Sequence, residues 1–366
     1  MKISIGSKIH DGPYGGGNEF IKNLTEYLKI NKYQVVNNLK DKDIDIILLT
    51  SPLVTSETST FTNYEIDYYI NFVNPNAIVF QRINECDQRK NTNYVNKTII
   101  KRNKHVDINI FVSNWLKNIF RESGLNKKNN FVIKGGPNKN IFNIENKIFW
   151  DSKDPIKIVT HHWSSNYMKG FEEYLYLDSL IKSKNLQNEI EFTYIGNLSK
   201  KNIFQTANVI PPLYGKELAD ELRKHDLYIT GSKNEPSGNH HMEGALCGLP
   251  ILYINSGALP EYCNRYGLEF SKDNLIEKIE LIKRDYSKYT QKLTDYPFTF
   301  ENAGYEFIKL FNESLTNKDE ILKNREKQNK IIVLINLIIF KIKKNLYKIY
   351  KNTRIKLGIL KSYKSK

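Results

Sequence analysis

Hydrophobic residues gather along this chain in short runs, and between the runs they recur at helical spacing. In the first half, runs at 2–6, 44–50, 77–82, 108–112 and 131–134 predict strands, with helices over 18–28 and 114–123. Around 150–155 the pattern begins again. Strands at 156–160, 190–195, 227–230 and 251–254 then alternate with helices at 170–182, 216–224 and 239–246. Alternation of this kind builds a parallel sheet covered on both faces, so two series predict an α/β chain of two doubly wound units. The expected units are 1–150 and a second beginning at 151. A length of 366 residues agrees, because a single core rarely grows beyond about 250–300 residues. Ligands of such sheets bind at the carboxyl ends of the strands, which directs the search to a cleft between the units.

Charge changes the picture only at one end. The formal net charge is +15, but residues 317–366 hold 15 of the 55 Lys and Arg and only 3 of the 40 Asp and Glu. The remaining 40 basic and 37 acidic residues leave the body nearly neutral. In the tail, Ile335, Ile338, Ile339, Ile342, Leu346 and Ile349 share one helical face, opposite Lys341, Lys344, Lys348 and Lys351. The apolar run 331–340 is too short to span a bilayer and contains Asn336. A basic amphipathic helix lying on an anionic membrane surface through 331–366 is therefore expected, the alternatives being a helix packed against a partner chain or a solvated one. Nucleic acid is not an expected partner, since aliphatic residues rather than stacking aromatics back the basic stripe. The first residues read as a strand, not as a signal peptide. Cys86, Cys247 and Cys263 are too scattered for a disulfide framework or a zinc site, so a reduced, cytoplasmic setting is expected, peripheral to the membrane.

Three segments offer chemistry. The loop after the first strand contains Gly15, Gly16 and Gly17 and runs straight into a helix, where amides approach an anion and the helix dipole favours it. Its spacing matches neither the dinucleotide fingerprint nor the P-loop. After the strand expected at 77–82, the segment 81–89 would face the cleft and carries Glu85 and Asp87, candidates for acceptor binding or proton handling, or else salt-bridge partners of Arg82 and Arg89. The segment 231–250 leaves a strand, turns through small residues and enters a helix. It places Glu235 and Glu243 where carboxylates can accept from sugar or ribose hydroxyls, while the N–H groups of Gly238, Asn239 and His240 face a phosphate. Asp43 and Asp45 resemble a metal-binding Asp-x-Asp but precede their strand, on the wrong edge of the sheet; no metal is expected.

The pair Glu235 and Glu243, followed by Glu-Gly-Ala-Leu-Cys-Gly-Leu-Pro (243–250) and Ser-Gly-Ala-Leu-Pro-Glu (256–261), resembles the E-x7-E signature of retaining glycosyltransferases of the GT-B fold, particularly glycosyltransferase family 4. The resemblance extends over 1–316 and is densest over 156–262. It implies a GT-B fold, a second unit of 151–295, and a closing helix at 296–316 that returns to the first unit. It implies that Glu235 binds the transferred sugar, Glu243 the ribose, and Lys169 of Lys169-Gly170 the donor diphosphate. Asp87 joins Glu235 and Lys169 as a catalytic candidate, and Glu85 and His162 stand on the acceptor side. The family pattern has an arginine shortly before the lysine, whereas 161–168 contains none. Either His161 or His162 substitutes, a basic group enters from the first unit, or the donor is held differently. The implied reaction moves a sugar from a nucleotide-sugar to a glycan, lipid-linked or other hydroxyl acceptor, with retention and without a metal or other cofactor. The alternatives are an epimerase or phosphorylase on the same fold, or a catalytically silent scaffold.

Overall fold

The computed structural model describes residues 1–10, 15–53, 58–125, 129–199 and 203–356. Two parallel six-stranded sheets organise it. The first contains β1 (Lys2–Ile5), β2 (Gln34–Val36), β3 (Ile46–Leu49), β4 (Ile78–Ile83), β5 (Ile108–Phe111) and β6 (Asn130–Val132), in the order β2-β1-β3-β4-β5-β6. The second contains β7 (Ile156–His162), β8 (Ile190–Gly196), β9 (Asn208–Ile210), β10 (Leu227–Thr230), β11 (Ile251–Tyr253) and β12 (Gly267–Glu269), in the order β12-β11-β10-β7-β8-β9. Every strand expected from a hydrophobic run is present. The three additional strands, β2, β9 and β12, are three-residue edges whose positions face solvent too often to leave a hydrophobic run; Val209 in β9 is 43% exposed.

Helices of the first unit are α1 (Gly16–Ile30), α2 (Asn63–Phe72), α3 (Asp87–Lys90), α4 (Val95–Arg102) and α5 (Asn114–Glu122). Those of the second are α6 (Phe171–Ser183), α7 (Gly215–Leu222), α8 (Asn239–Leu246), α9 (Leu259–Cys263), α10 (Leu275–Arg284) and α11 (Tyr286–Leu293). The central strands are apolar without alternation because both faces are covered. On β3, Ile46 and Leu48 pack toward α1, while Ile47 and Leu49 pack toward α2. The closing helix α12 (Phe300–Thr316) lies in the core of the first unit, where Phe300, Phe307 and Phe311 join Phe20, Leu24 and Leu28 of α1. Each of these side chains contributes about 1.5–3 kcal/mol by leaving water, which ties the end of the second unit to the first.

Asp43 and Asp45 sit at the amino edge of the first sheet. The Lys2 ammonium pairs with Asp43 at 2.7 Å and the Lys2 N–H donates to Asp45 at 2.8 Å.

The tail continues through α13 (Lys318–Lys323) to α14 (Lys330–Lys356) and is fastened to the first unit. Arg325 pairs with buried Asp107 at 2.5 Å and donates to the carbonyls of Pro75 and Ala77. Val333, Leu337 and Phe340 of α14 are buried, with Phe340 stacked on Tyr64 of α2 and Lys344 beside Glu65. This docking stripe was not expected from the sequence. The stripe that was expected, Ile335, Ile338, Ile339, Ile342, Leu346 and Ile349, is a different one, and all six residues are exposed. Among the described residues no helix is long and apolar enough to cross a membrane.

Candidate functional site

The second sheet reverses its strand order between β7 and β10, and the site is built where their carboxyl ends diverge. Lys169 ends a 3-10 turn (Tyr167–Lys169) and is followed by Gly170 at φ +93°, where a Cβ would lie 2.3 Å from the Gly231 carbonyl carbon. Only glycine lets this turn sit flush against the exit of β10. The motif at 256–261 acts in the same way on Glu235. A Cβ on Gly257 (φ +64°) would meet the Glu235 nitrogen at 2.4 Å. The Ala258 N–H donates to the Glu235 carbonyl at 2.8 Å, and the Asn234 N–H donates to the Ser256 hydroxyl at 2.9 Å. Residues 256–258 therefore fix the turn that presents Glu235.

Glu235 is buried, and one of its oxygens collects three partners: Arg89 at 2.6 Å, the Ser232 hydroxyl at 2.9 Å and the Lys169 ammonium at 3.6 Å. Burial alone would raise this carboxyl, but Lys169, Arg89 and Ser232 outweigh it and hold it below its ordinary value. Lys169 is itself pulled down, first by burial and then by Arg89, with Glu235 opposing. Arg89 is therefore the partner that holds Glu235, and the looser Lys169 is the cation able to turn toward a ligand.

Arg89 comes from the first unit, on α3. One of its terminal nitrogens donates to the carbonyls of Met168 and Lys233, the other to Ser232 and Glu235. All four terminal N–H groups are used. A basic group does enter from the first unit, but it acts as a latch on the turns that present Lys169 and Glu235. A second tie lies at Glu261 on α9, whose carboxylate accepts from the N–H groups of Asn114 and Trp115 at the start of α5 and pairs with Lys134 at 3.3 Å. The Tyr262 hydroxyl donates to the Val112 carbonyl at 2.6 Å, closing the same seam.

Glu243, on α8, meets His161 Nε2 at 2.7 Å, and His161 Nδ1 faces the Tyr228 hydroxyl at 3.1 Å. A ring with its proton on Nε2 donates to Glu243 and accepts from Tyr228. The other histidines are buried more deeply. His162 Nε2 faces the Tyr174 hydroxyl at 2.7 Å, and His240 Nε2 faces Thr230 Oγ1 at 2.8 Å. Neither ring nitrogen of His241 has a hydrogen-bond partner. Burial, aided by neighbouring positive charge, pushes His162 and His240 well below 6.5 and His241 to about 3. Because these folded values lie below the unfolded ones, the unfolded chain binds protons that the native state refuses, so stability is full above pH 6.5 and falls below it. The melting temperature is expected to be level from pH 8 to 7 and to drop from pH 6.5 to 5, each histidine contributing roughly 1 kcal/mol per pH unit. Thermal melts of the protein and of His241→Phe across that range check this. An unchanged slope in the variant would remove His241 from the account.

A cavity of about 620 Å³ opens between the units and brings together Glu235, Lys169, Glu243, Gly238, Asn239 and His240 with Gly15, Gly16 and Gly17. The main-chain N–H groups of Gly238, Asn239 and His240 have no acceptor among the described residues, and Asn239 approaches Gly16 across the cleft. The N-termini of α1 and α8 thus converge on one space and favour an anion there. Glu85 lines the cavity but pairs with Lys90 at 3.2 Å. His162 reaches the wall with its ring committed to Tyr174. Asp87 is not in the cavity: its carboxylate accepts from the Val95 and Asn96 N–H groups and the Thr92 hydroxyl, capping α4. The expected pairing of Arg82 and Arg89 with Glu85 and Asp87 is also replaced, since those carboxylates have nearer partners. The segment 81–89 was expected at the cleft, but the latch made by Arg89 carries no sequence signal because its partners lie up to 146 positions away. Trp163, Tyr214 and Phe142, which supply aromatic lining, carry no spacing signal. Among the described residues no group of three or more His, Cys, Asp or Glu is placed to hold a metal ion.

Solved structures similar to this chain include glycosyltransferases. Sucrose-phosphate synthase from Thermosynechococcus elongatus superposes with a TM-score of 0.63 at 12% identity, over 86% of this chain and 99% of that one. A glycosyltransferase from Rickettsia africae gives 0.61 at 16%, over 88% and 99%. Anabaena HepE in complex with UDP-glucose gives 0.58 at 12%, over 87% and 99%. The chain has the GT-B fold. No protein-family model and no curated protein sequence matches it. The shared architecture places the α8 side of the cleft on the second GT-B unit and the Gly15–Gly17 loop on the first.

Proposed function

We propose that this chain is a retaining, metal-independent glycosyltransferase of the family-4 type, which moves a sugar from a nucleotide-sugar to an acceptor hydroxyl. The observation that carries the reading is the convergence of Glu235 and Lys169 with the free N–H groups at the start of α8, facing the glycine loop of the first unit across one cavity. In this reading Glu243, oriented by His161, takes the ribose, and the amides with Lys169 take the diphosphate. Glu235 takes hydroxyls of the sugar. Charge grows on the diphosphate as the glycosidic bond breaks, and a fixed ammonium with aligned amides stabilises it without reorganisation. The departing phosphate receives the proton of the incoming hydroxyl on the same face, which retains configuration.

The relative HepE is seen with UDP, so UDP is the first nucleotide to try. A panel of nucleoside diphosphates and nucleotide-sugars should contain one that raises the melting temperature by on the order of 3 °C at a hundredfold excess over its Kd. A panel without a hit would turn the reading toward a silent scaffold. Transfer is distinguished from epimerisation by release of nucleotide that depends on an acceptor.

The exposed stripe of α14, bordered by Lys341, Lys344 and Lys348, supports work at an anionic membrane face. Co-sedimentation with vesicles containing phosphatidylglycerol, each nearby lysine adding about 1 kcal/mol, should fall with salt and be lost in Ile338→Asp/Ile342→Asp. Retention of binding by that variant would reject α14 as the membrane contact.

A further inference from the structure

A second cavity of about 490 Å³ adjoins the first on the side of the first unit, over the carboxyl ends of β1, β3 and β4. Its charge is one-sided. Arg82, Lys8 and Lys90 line it, and Glu85 is the one acidic side chain among the described lining residues. Glu85 is already paired with Lys90, Asp87 caps α4, and Glu235 is held by Arg89. Among the described residues Arg82 has no hydrogen-bond or ion-pair partner, and its guanidinium lies over the Phe20 ring, 3.8 Å from the centroid. A ring face offsets about 0.5–2 kcal/mol for a desolvated cation, far less than a charge-assisted partner supplies. Burial pushes Arg82 down to about 10, with Tyr262 and Glu85 opposing, so the group remains a cation at neutral pH. Gln81, the preceding residue of β4, points to the opposite face of the sheet, where its oxygen accepts from Asn103 at 2.7 Å. Arg82 therefore offers donors with nothing to receive them.

We propose that this second cavity is the acceptor subsite and that it takes a phosphate-bearing acceptor, whose anion is received by Arg82. The proposal rests on the reading of the chain as a glycosyltransferase and specifies its acceptor class. Arg82 stands where the two cavities meet and lines both, whereas Lys169 and the α8 amides line the first alone. The rest of the lining suits an amphiphile, since Leu53, Ile83, Val95 and Ile99 supply apolar surface. The cavity also neighbours the tail. Arg102 donates to the carbonyl of Pro52 in the cavity wall and lies over the Tyr64 ring, on which Phe340 of α14 stacks. A phosphate carried by a lipid headgroup and a free sugar or polyol phosphate share the recognised chemistry.

The test is calorimetric titration of the full chain, saturated with UDP, using sn-glycerol 3-phosphate, glycerol, and dihexanoyl-phosphatidylglycerol below its micelle concentration. Glycerol 3-phosphate or the short-chain lipid should bind and glycerol should not. Arg82→Gln should weaken the anionic probe by about tenfold or more, with Arg82→Lys recovering part of the loss. UDP affinity should stay within about twofold in both variants, as expected if Arg82 serves the acceptor although it also borders the donor cavity. Preference for the free phosphate or for the lipid assigns the source, and either supports the subsite. The proposal is overturned if Arg82→Gln leaves the anionic probes unaffected, if neither probe binds, or if the loss falls on UDP, which would place Arg82 at the donor diphosphate. Failure of the broader reading shows separately, as failure of every nucleoside diphosphate to bind, and the same titrations without nucleotide still test the subsite.

Discussion

Replacing Lys169 with alanine is expected to lower sugar transfer by about 100- to 1,000-fold in kcat while the protein stays folded, the loss typical when one fixed stabiliser of transition-state charge is removed. The fold should survive because Glu235 does not depend on this lysine. Arg89 at 2.6 Å and Ser232 at 2.9 Å still hold it, and Lys169 is the distant partner at 3.6 Å. Removing the ammonium even relieves a group whose charge burial disfavours. The charge it answers appears on the diphosphate only as the bond breaks, so kcat and kcat/KM should fall together while nucleotide-sugar affinity changes less. Steady-state kinetics with a melting curve of the same preparation measure both halves. Near-normal turnover in a folded Lys169→Ala protein would end the assignment of this residue to the leaving group.

The parts of the molecule legible in the sequence are those whose physics is local. Strands buried on both faces carry runs of apolar residues, so β3, β4 and β7 announce themselves, whereas β2, β9 and β12 at the edges carry no such demand. Glu235 and Glu243 could be placed at a strand exit and on a helix because 231–250 is one continuous segment. The glycines at 170 and 257 are legible for the same reason, each being required where one backbone meets another. Arg89 could be placed at the cleft but not as a latch, because the partners that define it belong to the other unit and come together only when both sheets are built. Asp87 shows the converse. Its position after β4 suggested the cleft, but the nearby start of α4 takes its carboxylate, a competition between a cap and a site that spacing does not resolve. The tail divides similarly: its period reveals an amphipathic helix, and two apolar stripes then compete to be the buried one. Tyr64 of α2, on which Phe340 stacks, decides for the stripe of Val333, Leu337 and Phe340.

Breaking the latch should have the second large effect. Arg89→Met is expected to destabilise the protein by about 3–5 kcal/mol, because it leaves the Glu235 carboxylate buried with only the distant lysine to balance it. Arg89 and Glu235 keep 11% and 8% of their side-chain surface exposed, so solvent screens the pair little. Glu235→Gln in the Arg89→Met background should recover much of the loss, since it removes the charge that the first substitution stranded, and the resulting coupling in a double-mutant cycle should exceed about 1 kcal/mol. The pH dependence follows from the sign of the shift. Glu235 is held below its ordinary value of 4.5, so the stabilisation from its cations is present above that pH and is lost as pH falls through the lower folded value. Arg89→Met should therefore lose less stability on acidification than the parent protein. Because Arg89 crosses from α3 to the turns at 168 and 233, its removal should also let the two units part, seen as a larger radius of gyration in solution scattering. A variant that melts and scatters like the parent would show that Glu261 and Tyr262 hold the seam without it. A variant that opens but keeps its stability would separate closure of the cleft from the burial of Glu235, and would assign Arg89 to closure alone.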